Sequence, residues 1–175
     1  MRIAIRPGGF MVNQKVKIGD VFLTTLKIWG SAWIAFLVAL VPLYIWRGIY
    51  HEPEAAARGE NIIMSVVGAI VGFVALLLIH GRSDAAERMT DKDMWQHALY
   101  SVGIYIVAWM PLWIIAENNY VVAVCGYHLV HLLAFGSNGQ PTAASALLAA
   151  LIYGVFYTLA IVLGTKMARR RRTKG

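Results

Sequence analysis

TAASALLAALIYGVFYTLAIVLGT occupies residues 142–165, and KMARRRRTKG follows as residues 166–175. A helix rises about 1.5 Å per residue and the hydrocarbon core of a bilayer is about 30 Å thick, so roughly 17–25 apolar residues make one crossing. The 24 uncharged residues here meet that length and stop at a basic cluster. Four more uncharged runs precede it: 19 residues over Ile28–Trp46, 18 over Ile62–Ile79, 19 over Ala98–Ala116 and 16 over Tyr120–Phe135. All are continuous rather than alternating, which points to helices and not to barrel strands.

Composition agrees. Of 175 residues, 59% are hydrophobic and 14% charged, with a mean hydropathy of +0.61. Soluble domains carry about 25% charged residues, so composition disfavours a water-soluble globule. The first apolar run follows 27 residues and is long enough to stay as an anchor, so no cleavable signal is expected.

Basic residues set the expected orientation. If four runs cross and Tyr120–Phe135 does not, fourteen Lys and Arg residues share one side and only Arg47 and Arg58 face the other. With five crossings the split is eight and eight. The positive-inside bias favours the first arrangement. The expected fold is therefore all-α: a polytopic helical integral membrane protein with four transmembrane helices (28–46, 62–79, 95–116 and 142–166) and one short re-entrant or interfacial apolar helix at 120–135. Both termini are expected in the cytoplasm of a plasma or bacterial inner membrane, with a basic tail at 167–175. Five transmembrane helices remain the alternative, because 120–135 lacks the polar face of an interfacial helix and Glu117-Asn118-Asn119 suits a tight turn between helices. The whole chain reads as one membrane domain.

Between the runs, residues 47–61 read as an external loop with a turn of helix, and Thr90 ahead of Asp91 and Asp93 reads as the N-cap of the third long helix. Small residues recur at four-residue spacing, with Gly68 and Gly72 in one run and Ala150 and Gly154 in another. Lipid is as apolar as Leu, so membrane helices associate where small residues let backbones approach, and these faces are expected to pack. Trp29, Trp46, Trp95 and Trp113 fall near the ends of runs and read as interfacial anchors, while His80 and His97 read as interfacial residues bracketing a loop.

The candidate chemistry is concentrated in one place. From Lys92 and Asp93 onward the next charged residue is Glu117, followed by Asn118, Asn119, Cys125, His128 and His131. Cys125, His128 and His131 are spaced by three and would share one side of a helix, where polar side chains in a membrane need partners or a function. C-x2-H-x2-H is not a zinc spacing, a lone cysteine offers no disulfide, and phosphate loops, dinucleotide fingerprints and HExxH are missing, so no metal, cofactor or catalytic residue is assigned. The net charge of +7 does not indicate nucleic acid, because Arg169, Arg170, Arg171 and Arg172 follow a span directly and match anionic lipid headgroups.

Three functional classes follow. An accessory or structural subunit of a larger membrane assembly, with a protein partner or a second copy, asks least of these residues. A small transporter or channel component with a polar site around Glu117, His128 and His131 is the alternative. A membrane-embedded enzyme acting on lipid or peptide is the third.

Overall fold

A computed structural model describes residues 17–50, 53–115, 126–134 and 140–173. Within them there are six helices and no strand: α1 (Ile18–Ile49), α2 (Pro53–His80), α3 (Asp84–Glu87), α4 (Asp91–Ile115), α5 (Gly126–Leu132) and α6 (Ala143–Arg172). The four long helices run alternately up and down. α1 packs on α2 and α4, and α6 packs on the same two, which closes a ring in the order α1, α2, α6, α4. α5 lies against α2, α6 and α4 at the end where α1 and α4 finish, and α3 lies against α6 at the opposite end.

Three of these helices are long and apolar enough to cross a membrane: Ile18–Ile49, Ala57–His80 and Ala143–Arg172. α4 has 25 residues but opens with Asp91, Lys92 and Asp93 and mixes Gln96, His97, Ser101 and Tyr105 into its apolar sequence. Each of the four apolar runs expected to cross overlaps a long helix; Ala116, at the end of the third, lies outside the described residues. The short apolar segment at 120–135 is represented by α5, and its residues 120–125 and 135 lie outside the described residues.

The helix ends follow local chemistry. Thr90 caps α4, its Oγ1 accepting from the Asp93 backbone N–H at 3.3 Å and donating to Asp93 Oδ2 at 2.6 Å. Thr142 and Ser145 form a reciprocal capping box at the start of α6. The expected external loop at 47–61 is mostly helical: α1 runs on to Ile49, α2 starts at Pro53, and Arg47 Nη2 pairs with Glu60 Oε2 at 2.7 Å across the two helices. Proline fits the first turn of a helix, where its missing N–H costs nothing, and this lets α2 begin so early. Pro42 and Pro111 lie inside α1 and α4.

Small residues form the closest seams. Along α1 the buried face is Thr24, Ile28, Ser31, Ala32, Ala35 and Ala39. Gly72 lies opposite, and a Cβ added there would touch the Ala35 Cβ and the Tyr157 ring at 3.8 Å. Gly68 is buried on the same helix, Ala150 is buried on α6, and Gly154 sits half-buried against Ile106. A close approach of two backbones lies at the far end of α2. There a Cβ on Gly164 would come within 3.1 Å of the Leu77 carbonyl oxygen and 3.2 Å of the Gly81 nitrogen.

That contrast gives a stability test. Gly164→Ala should push α6 away from the end of α2 and lower the thermal stability of the detergent-solubilised protein by about 1–3 kcal/mol, the usual cost of overpacking. Gly103→Ala, where an added Cβ meets nothing within 4 Å, should be neutral or gain up to about 1 kcal/mol from helix propensity. Equal melting temperatures for the two variants would contradict the α2–α6 seam.

Candidate functional site

Buried polar side chains gather in two layers, one near each end of the bundle. At the end where α1 finishes, α5 turns His128 inward so that it is 3% exposed. His128 Nδ1 lies 3.0 Å from Asn61 Oδ1 of α2. An amide oxygen only accepts, so the imidazole donates there and carries its proton on Nδ1. Glu60 and Arg47, joined by their ion pair, supply the charges that face His128, and His131 follows one turn later on α5. Burial pushes the His128 imidazole down to about 4, against a smaller opposing pull from Glu60 and with further lowering by His131 and Arg47. His131 is half-buried, its ring 4.3 Å from that of Tyr127. Glu117, Asn118, Asn119 and Cys125 lie outside the described residues; among the described residues this layer holds His128, Asn61, Glu60, Arg47 and His131.

α5 is seated by a close approach. Gly126 presses its backbone against the Trp113 indole, and a Cβ there would fall 2.0 Å from the ring. Trp113 is accordingly 1% exposed and is a core residue, not the interfacial anchor that its place near the end of a run suggested. Its ring belongs to an aromatic cluster with Tyr105 and Tyr153, and Tyr157 packs on both tyrosines at 5.4 and 5.7 Å. These four side chains, each at most 3% exposed, fill the bundle between the two polar layers. Trp29 and Trp95 keep substantial exposure, and Trp46 stacks on Tyr50 at 3.9 Å.

The second layer corrects another reading. His80 and His97 are each 1% exposed and face the inside of the bundle, where the sequence suggested only residues bracketing a loop. Their rings stack at 6.0 Å with an interplanar angle of 28°. His97 Nε2 lies 2.8 Å from Thr24 Oγ1, and His80 Nε2 lies 3.1 Å from Thr165 Oγ1, so the pair ties α1, α4, α2 and α6 together. Lys27 Nζ donates to Ser83 Oγ at 3.0 Å beside them. A histidine at the end of an apolar run resembles a boundary marker, which is why sequence alone placed both outside. The signal lay in helical spacing: Tyr153, Tyr157, Ile161 and Thr165 lie one turn apart on α6, a face that carries a hydroxyl down to the level of His80.

The basic tail is divided. Arg169 pairs with Asp91 at 2.5 Å, and Arg171 donates to the Gly81 carbonyl oxygen and lies 4.0 Å from Glu87. Arg170 and Arg172 are exposed. Two of the four arginines expected to face lipid headgroups are thus engaged within the chain. No group of three or more His, Cys, Asp or Glu side chains among the described residues is arranged to hold a metal ion.

Compared with protein-family models, with curated proteins and with solved structures, the chain matches none.

The layer around His128 has a pH signature. The folded-state value of His128, about 4, lies below the ordinary imidazole value of about 6.5. Between them the unfolded chain binds a proton that the folded chain does not, so stability is full above about pH 6.5 and falls as pH drops toward about 4. The loss should be on the order of 3 kcal/mol. His128→Asn, which keeps a donor for Asn61 without titrating, should flatten that part of the stability profile measured by thermal melting at a series of pH values.

Proposed function

We propose that this chain is a four-span integral membrane protein serving as an accessory or structural subunit of a larger membrane assembly, with both ends of the chain in the cytoplasm. Three helices with the length and apolarity of crossings support the membrane placement, and α4 packs between α1 and α6 over a comparable length, as a fourth span would. The end that holds Lys27, Arg82, Arg88, Lys92, Lys166 and the arginine tail is the basic end, which the positive-inside bias assigns to the cytoplasm. Exposed Arg170 and Arg172 are placed to meet anionic headgroups there, each contributing about 1 kcal/mol of attraction near the surface.

The observation that carries the subunit reading is the aromatic cluster of Tyr105, Trp113, Tyr153 and Tyr157. A transport path needs polar or hydrated lining from one side to the other. Among the described residues that interval is filled by buried rings, which supports a role in packing and holding. A second reading, a small transporter, is favoured by the two buried polar layers and would use His128 and His131 at one mouth.

Extraction into detergent-free polymer discs followed by native mass spectrometry distinguishes the two. The subunit reading expects a defined assembly well above the 19.3 kDa of one chain, and no ion or proton flux from reconstituted vesicles. A lone chain whose vesicles conduct, with flux lost in His128→Asn, would replace it with the transporter.

A further inference from the structure

The His80–His97 pair contains information about proton position. Thr165 Oγ1 donates its single proton to the Ile161 carbonyl oxygen at 2.9 Å. It therefore accepts from His80, which must carry hydrogen on Nε2 and present a bare lone pair at Nδ1. That Nδ1 is buried without a hydrogen-bond partner among the described residues, and so is Nδ1 of His97. Both residues line one small cavity of about 10 Å³ together with Asp20, Thr24, Lys27 and Ser83. Such a space holds about one water, and a buried water needs at least two polar partners. The two imidazoles supply them.

We propose that His80 and His97 form a proton-binding site, in which one water joins the two Nδ1 atoms and the pair takes up a single proton as a unit. In the neutral state Thr24 donates to His97 Nε2, His97 Nδ1 donates to the water, and the water donates to His80 Nδ1. A proton from bulk water adds to this chain, converts His80 to the imidazolium and reverses the three hydrogen bonds, so that the Thr24 hydroxyl turns from donor to acceptor. Only N–H and O–H bonds form and break, and the same proton returns to water on release.

The charges around the pair limit it to one proton. α1 brings Asp20, which attracts positive charge, and Lys27, which repels it and is drawn toward Ser83. α6 brings Thr165, with Lys166 exposed beyond it. On α4, Asp93 is occupied by Thr90, and after α2, Glu87 faces Arg171. A second cation 6.0 Å from the first would be opposed by both the first and Lys27.

The test uses the full chain with ¹⁵N-labelled histidine in lipid nanodiscs, titrated by NMR from about pH 8 to about pH 4, the range in which imidazoles exchange charge. The expected result is His80 protonated on Nε2 at high pH, with the two rings titrating as a coupled pair whose midpoints are more than about one pH unit apart. His80→Gln keeps an amide donor near Thr165 but removes Nδ1. It should abolish the first step and move the His97 midpoint by about one pH unit or more. A His80 proton on Nδ1 at high pH, or a His97 titration identical in wild type and His80→Gln, would overturn the site. Should His80→Gln fail to fold, Thr165→Val tests the same assignment: loss of the fixed Nε2–H tautomer supports it, and an unchanged tautomer refutes it.

Discussion

Close approach of backbones at small side chains is the constraint on which the bundle rests. In water, helices are driven together because their apolar faces escape the solvent, whereas in lipid that drive is absent and contact must be won by packing. The seams of this chain meet the requirement with residues that occupy little space: Ala35 and Ala39 on α1, Gly68 and Gly72 on α2, Gly164 on α6 against Gly81. Because those seams bring four helices close, buried polar side chains find partners across them. Thr24 reaches His97, Thr165 reaches His80 and Asn61 reaches His128 only when the backbones are this near.

The same closeness explains the division of the interior. Where small residues pair, there is no room for large polar groups. Where the helices diverge around α5, the space is filled by Trp113 and its tyrosine neighbours, with Gly126 yielding to the indole face. Polar contacts are left to the two ends, which are also where charged residues such as Arg47, Glu60, Lys27 and Asp20 begin.

Much of the helical layout was legible because length and charge set it directly. Uninterrupted apolar runs cannot be anything but helices in a bilayer, and Thr90 with two aspartates in the following turn announced the start of α4 correctly. What escaped, beyond the small-residue seams, was which polar and aromatic side chains meet across helices. His80 and His97 sit at the edges of their runs in sequence but at the inner face in space, because α2 and α4 bring them together from opposite directions. Asn61, the partner of His128, stands 67 residues away and had no reason to be paired with it before the helices were placed. Trp113 was misread for a related reason: position along a helix says how deep a residue lies, while burial depends on its azimuth around the axis.

The plug of rings at the centre has a mechanical corollary. Tyr105, Tyr153 and Tyr157 interlock midway along α4 and α6, with Trp113 joined to them toward the α5 end, and these rings fill the described interior between the two polar layers. A movement passed from one end of the bundle to the other would be carried by rods shifting against one another, with the aromatic stack as the bearing about which they turn.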